Sequence, residues 1–228
     1  MQDRRHEIKF ILDDIRINDA EKWLYHSTAC HNSFPTRKVN SIYFDDTQYS
    51  SLRDNLMGLA NRAKLRLRWY STLEDKECIS PKVEMKIREG RVGYKKSSPI
   101  NTHNYDFLNK NYNKLYEFLY SQLHSHKEFS LDKFFIPTLH VSYDRSYFEA
   151  PNGIRITFDR NITFYDPGQN QTPLTANGHK YNRIIMEIKF PPEQKIHIAK
   201  LLRSSNLTPQ RHSKYVAGLA TFGRAIYI

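Results

Sequence analysis

A glutamate and a lysine separated by one apolar residue occur three times in this chain, as Glu7-Ile8-Lys9, Glu84-Met85-Lys86 and Glu187-Ile188-Lys189. A fourth run, Lys64-Leu65-Arg66-Leu67-Arg68-Trp69, repeats the alternation with cations alone. Rows of Lys and Arg suit a polyanion, and phosphate oxygens are the anions that Lys and Arg bind best. A carboxylate among them has two uses. It can hold Mg²⁺ or Mn²⁺, with water and phosphate oxygens filling the remaining positions, or it can balance cations that would otherwise repel one another. Both uses stay open for Glu7 and Glu84, whereas Glu187 stands among the fewest competing charges and favours the metal.

This spacing gathers charges only if the runs are β-strands, in which residues two apart share a face. The charged sets are then Glu7, Lys9 and Ile11; Lys64, Arg66 and Arg68; Glu84, Lys86 and Arg88; Arg155, Thr157 and Asp159; and Glu187 with Lys189. Their opposite faces are Ile8 and Phe10, Leu65, Leu67 and Trp69, Val83, Met85 and Ile87, Ile154, Ile156 and Phe158, and Met186, Ile188 and Phe190. The apolar faces need a cover of helices or partner surfaces. A sheet closed with the charges inward would make a basic lumen for a polyanion.

The expected strands are His6–Leu12, Lys38–Asp45, Ala63–Tyr70, Lys82–Glu89, Gly93–Ser97, Thr138–Glu149, Gly153–Asp159 and Arg183–Phe190, rich in Ile, Val, Tyr and Phe. Glu89-Gly90-Arg91 and Pro151-Asn152-Gly153 read as hairpin turns, the second because Asn-Gly tolerates positive φ. Helices are expected over Asp19–His31, capped by Asn18 with Glu21 completing a capping box, over Asp46–Asn55, and within Tyr105–His126. Two more are expected over Glu193–Arg203 and, capped by Ser213, over Lys214–Ile226. Asp166–Tyr181, rich in Gly, Asn, Gln, Pro and Thr, reads as a surface loop.

At 228 residues with no break in composition, the chain is expected to form a single domain over 1–228. Its 35 lysines and arginines against 24 acidic residues give a net charge of +11, which favours nucleic acid, acidic membrane surfaces or phosphorylated molecules as partners. Cys30 and Cys78 stand far apart without metal or disulfide spacing, and no apolar run approaches the roughly 20 residues that span a bilayer. A reducing, cytoplasmic setting is the expectation. Neither a Walker loop, a His-Glu-x-x-His helix nor a nucleophile elbow is present, so phosphate chemistry here has to rest on side-chain cations. Aromatic residues beside cations, as in Tyr143-Asp144-Arg145-Ser146-Tyr147, fit strand-core packing more simply than stacking on single-stranded nucleic acid.

Seven segments, Arg5-His6-Glu7-Ile8-Lys9-Phe10, Val39-Asn40-Ser41-Ile42-Tyr43-Phe44-Asp45, Lys64-Leu65-Arg66-Leu67-Arg68-Trp69-Tyr70, Glu84-Met85-Lys86, Tyr143-Asp144-Arg145, Met186-Glu187-Ile188-Lys189 and Ser213-Lys214-Tyr215, occur in the order found in the VTC domain. That domain, named for the vacuolar transporter chaperone, is the polyphosphate polymerase branch of the triphosphate tunnel metalloenzymes. The resemblance runs from Arg5 to about Gly218 and implies an α+β fold: an antiparallel β-barrel tunnel of about eight strands, flanked by helices. It further implies an ATP-polyphosphate phosphotransferase that uses Mn²⁺ or Mg²⁺, with ATP and polyphosphate as its partners.

Carried over by motif, the catalytic cations are Lys9, Arg66, Arg68, Lys86, Arg145 and Lys214, with Arg155, Lys189, Arg211 and Ser213 binding substrate and Glu187 binding the metal. The superfamily's hydrolases and cyclases open with Glu-x-Glu-x-Lys, but here Arg5 takes the first glutamate's place and Ile185 stands where a second would pair with Glu187. Fewer carboxylates weaken the case for a water-activating second metal and favour transfer or binding over hydrolysis. The alternatives are a tripolyphosphatase or nucleoside triphosphatase of the same superfamily, a non-catalytic polyphosphate or inositol-phosphate binder, and, last, a nucleic-acid-binding barrel.

Overall fold

Alternating charge and hydrophobicity produces strands over most of the chain. The computed structural model describes residues 5–72, 78–90, 92–101, 106, 108–123, 129, 135–168 and 171–225. Its strands are β1 (His6–Leu12), β2 (His31–Asp45), β3 (Arg62–Ser71), β4 (Ile79–Glu89), β5 (Val92–Pro99), β6 (Ile136–Ala150), β7 (Ile154–Tyr165), β8 (Gly178–Lys180) and β9 (Ile184–Phe190). Among the described residues five α-helices accompany them, α1 (Arg16–Ser27), α2 (Ser50–Leu56) and α3 (Tyr112–Leu123) between strands, and α4 (Lys195–Arg203) and α5 (Lys214–Thr221) after β9. The strands pair in the order β1-β9-β7-β6-β2-β3-β4-β5, with β8 beside β7, so among the described residues the pairing path is open at both ends.

The chain divides into two compact units. Unit 1 takes Met1–Lys38, Tyr143–Ile162 and Lys180–His212; unit 2 takes Val39–Ser142, Thr163–His179 and Ser213–Ile228. In unit 1 the apolar faces of β1, β7 and β9, through Phe10, Leu12, Ile156, Phe158, Met186 and Ile188, pack under Trp23 and Leu24 of α1 and Ile198 of α4. The Trp23 indole donates to the carbonyl of Leu201 at 2.9 Å, which ties α1 to α4. In unit 2, Leu65, Leu67 and Trp69 of β3 and Val83 of β4 pack with Ile42 and Phe44 of β2 against Tyr112, Leu115, Tyr116 and Leu119 of α3. In both units helices cover the apolar face, as the alternation requires. Each large aliphatic or aromatic side chain buried this way stabilises by about 1.5–3 kcal/mol.

Several boundaries differ from the sequence pattern. Helix α1 begins at Arg16, before Asn18, and no side chain caps it at Ile15. Instead the Asp13 carboxylate accepts from the amides of Ile15 and Arg16 at 3.2 and 2.9 Å, serving the first amides one turn earlier than the capping-box reading placed it. Strand β2 begins at His31 instead of Lys38, because cross-strand pairing extends into a polar stretch that has no alternation of its own. The short β8 falls inside the segment read as a loop. The Asn152-Gly153 turn has the expected positive φ values of 63° and 73°. Of the turn and helix expectations, Arg91, Tyr105, Phe107, residues 124–126 and Ile226 lie outside the described residues. Among the described residues no helix is long and apolar enough to cross a membrane.

Candidate phosphate-binding faces

In unit 1 the antiparallel register sets unlike charges opposite one another. Lys9 of β1 faces Glu187 of β9, and Glu7 faces Lys189. On the other side of β9, Arg155 of β7 is paired with Lys189 and Thr157 with Glu187. Glu187 is almost fully buried, and the Lys189 ammonium stands 2.7 Å from one of its oxygens and that of Lys9 3.6 Å from the other. Lys9 also meets Glu7 at 2.8 Å and donates to the carbonyl of His212 at 3.2 Å. The amide of Gln210 donates to the Lys9 carbonyl at 2.8 Å, so the segment that carries Arg211 runs beside β1. Arg145 of β6 grips the buried Asp159 of β7 through two hydrogen bonds, one of 2.7 Å. Burial opposes its charge, but Asp159, Tyr143 and Glu187 outweigh that and hold its pKa well above the ordinary arginine value.

In unit 2 the strand cations gather around Glu84. Glu84 of β4 is 1% exposed and accepts from both Nε and Nη2 of Arg66, at 2.8 and 2.6 Å, and from Lys95 of β5 at 2.8 Å. Arg68 and Lys82 complete the set at 3.7 and 4.0 Å. Burial pushes the Glu84 carboxyl up, but Arg66, Arg68 and Lys95 overcome this and hold it far below the usual carboxylate range. Two residues along the strands, on the same face, Lys64, Lys86 and Lys95 form a row across β3, β4 and β5. Like charges placed opposite one another are unfavourable in a bare sheet and favourable around a bound anion. Lys64 donates to the Ser213 hydroxyl at 3.0 Å, and that hydroxyl caps α5 by accepting from the amide of Val216. Lys214 therefore sits in the first turn of α5. The Tyr43 ring stacks on Tyr215 at 5.0 Å and its hydroxyl accepts from Arg66. Burial raises the Tyr43 phenol, yet the cations Arg66, Arg68 and Lys214 outweigh it and bring its pKa below the ordinary tyrosine value.

The order of these segments matches one family over nearly the whole chain: the profile of the VTC domain covers residues 4–223. The chain belongs to the VTC domain family. No curated protein matches this chain significantly. Among solved structures, an adenylyl cyclase candidate from Hippeastrum with a dominant triphosphatase activity is 13% identical, covers 98% of this chain and 97% of its own, and superposes with a TM-score of 0.54. A protein from Pyrococcus horikoshii OT3 is 14% identical, with coverages of 96% and 98% and a TM-score of 0.52. These likenesses show the fold: this VTC domain has the α+β triphosphate tunnel fold, with nine strands in an antiparallel sheet and five α-helices among the described residues.

The residues carried over from the VTC pattern fall into two groups. Lys9, Arg145, Arg155, Glu187, Lys189 and Arg211 lie in unit 1, and Arg66, Arg68, Lys86, Ser213 and Lys214 in unit 2. Within unit 1, Lys9, Lys189 and Glu187 meet directly; Arg155 is over half exposed and only loosely paired with Glu149 at 3.7 Å. Within unit 2, Arg66 and Arg68 converge on Glu84, while Lys86 is exposed. Sequence reasoning placed Lys64 on the charged face of its strand without assigning it a role, and omitted Lys82, Lys95 and Tyr43. Lys95 stands between Tyr94 and Lys96, where no alternation marks it; the register with Glu84's strand is what places it.

Proposed function

We propose that this VTC domain is a metal-dependent polyphosphate polymerase, one domain over 1–228, that transfers the terminal phosphoryl group of ATP to a polyphosphate chain in the cytoplasm. One observation carries the reading: the cations are fixed in place by buried carboxylates, Arg66 and Lys95 by Glu84, Arg145 by Asp159, and Lys189 by Glu187. Phosphoryl transfer spreads charge over non-bridging oxygens, and donors already held in position stabilise that charge without reorganising. The incoming terminal phosphate is already an ionised nucleophile, so no general base is needed. The family membership fits the same reading.

The donor set suits a hard divalent cation carried largely by substrate. Among the described residues no three of His, Cys, Asp and Glu gather into a cage. Glu187, with Glu7 near it through Lys9, offers the one or two carboxylates that Mg²⁺ or Mn²⁺ uses alongside phosphate oxygens and water. Bound there, the metal would supply charge neutralisation for the transferring group. Ile185, where the superfamily's hydrolases pair a second carboxylate with Glu187, is fully buried and stands opposite Ile11 and Asp159, which favours transfer over water activation.

The test is to incubate the purified chain with ATP and Mn²⁺ or Mg²⁺ and resolve the phosphate species formed. ADP together with polymer is expected. Phosphate release without polymer would make the protein a triphosphatase, and binding without turnover would make it a binding module. Glu187→Gln is expected to abolish turnover while tripolyphosphate binding survives; full activity in that variant would remove Glu187 from the metal.

A further inference from the structure

In unit 1 an aromatic cluster stands on the face that carries the cations. On β6, period two puts Tyr143, Arg145, Tyr147 and Glu149 on one side, while Phe148 points to the other and packs edge-on against Phe158 at 5.9 Å. The Tyr147 ring meets Phe34 of β2 edge-to-face at 5.9 Å. The Arg37 guanidinium lies over both rings, 5.5 Å from the centre of Phe34 and 4.9 Å from that of Tyr147. Thr36 and Ser146 hydroxyls, 3.1 Å apart, link the two strands beside it. The cluster is thus held in shape by its own contacts, yet Phe34 is 55% exposed. A single exposed phenylalanine is ordinary; one held against a guanidinium and a second ring, beside a phosphate-type site, is a stacking surface.

Its distance from that site suits one class of ligand. The ion pairs Arg145–Asp159 and Glu149–Arg155 fit a single β6–β7 register, in which Tyr147 stands opposite Thr157. Thr157 is paired in turn with Glu187, and Glu187 with Lys9. Tyr147, Thr157, Glu187 and Lys9 therefore form one row across four strands. At about 4.8 Å per strand, Tyr147 lies roughly 10 Å from Glu187 and roughly 14 Å from Lys9, the reach from a nucleobase to the outer phosphates of a nucleoside triphosphate. Between them the Thr157 hydroxyl is buried without a hydrogen-bond partner, an orphan that a ribose or inner phosphate oxygen would satisfy.

We propose that Phe34, Arg37 and Tyr147 form a nucleobase platform that gives this site its preference for a nucleoside triphosphate over the bare polyanion, with the Thr157 hydroxyl bonding the sugar-phosphate link. This rests on the proposed use of ATP as phosphoryl donor. Aromatic and guanidinium faces stack any base, so the platform selects for the presence of a base and only weakly for its identity.

The experiment is calorimetric binding of an imido-bridged ATP analogue and of inorganic tripolyphosphate, each with Mg²⁺, to the full chain and to the Phe34→Leu/Tyr147→Leu variant. The wild type is expected to bind the analogue about tenfold more tightly than tripolyphosphate, and the variant to lose that preference with its tripolyphosphate affinity unchanged. If the variant loses tripolyphosphate as well, Phe34→Leu alone, a change at an exposed ring, decides by the same ratio. Equal affinities of the two anions for the wild type, or an unchanged ratio in the variants, would overturn the platform and leave the anion site standing. Binding of neither anion to the wild type would overturn the proposed function and the platform together.

Discussion

Glu84 is the residue on which unit 2's charges depend. Removing its charge would leave Arg66 and Lys95 facing each other around a buried neutral amide, and breaking a buried ion pair by taking one partner costs about 3–5 kcal/mol. Glu84→Gln is accordingly expected to lower the unfolding free energy by that amount, read as a lower urea midpoint with an unchanged m-value. Added tripolyphosphate should narrow the gap, because an anion that binds only the folded state restores stability by mass action. A midpoint equal to wild type would mean that these cations need no internal counter-ion. Much at this scale was legible in the sequence: alternation placed Arg66, Arg68 and Glu84 on one face. Which carboxylate serves which cation was not, because that depends on strand register; Arg145 finds Asp159 on β7, and Lys95 reaches Glu84 from β5.

At the scale of elements, helix α5 shows how little room the fold leaves for its phosphate-type residues. A Cβ on Gly218 would come within 2.6 and 2.8 Å of the two methyls of Leu139 and within 2.9 Å of Phe164, so α5 lies directly on β6 and β7 of unit 2. Gly218→Ala gains about 1 kcal/mol of helix propensity, but forcing a methyl into a filled core costs about 1–3 kcal/mol. Net destabilisation is expected, read as a lower thermal midpoint, together with weaker tripolyphosphate binding, since Lys214 and Ser213 ride on the same helix. A higher midpoint would show that α5 shifts freely. The Ser213 cap was legible because capping is local. The start of α1 was not: Asn18 and Glu21 make an acceptable capping box on paper, yet Asp13 serves the first amides and the helix starts sooner.

For the molecule as a whole, stability is expected to fall in acid in a window set by a buried histidine. His140 lies fully inside unit 2, its ring stacked on Tyr165 at 4.8 Å and on Trp69 at 5.4 Å, with its nitrogens facing the Tyr112 hydroxyl at 2.9 Å and Asn40 at 3.3 Å. Burial pulls its pKa down to about 3. The unfolded chain therefore takes up the proton first, near its ordinary value of about 6.5. The stability linked to His140 is complete above that pH and is lost as pH falls toward about 3, by up to about 1.4 kcal/mol per pH unit. Glu84, also held low, adds a loss of the same sign below the ordinary glutamate value of about 4.5. Urea midpoints at pH 7, 6 and 5 should decline in the wild type and stay nearly flat in His140→Gln; parallel slopes would assign the acid sensitivity elsewhere. No pattern in the sequence marks His140, since its burial comes from aromatic residues on α3, β3 and β7. What the sequence by itself determined is the strand faces, the helices that cover them and the family, because alternation, capping by adjacent residues and motif order are all written along the chain. What only the tertiary structure decided is register and partnership: Glu84 as the centre of four cations, Thr157 beside Glu187, and Phe34 against Tyr147. These join residues far apart in sequence, and a strand shifted by one position would turn every one of them to the opposite face.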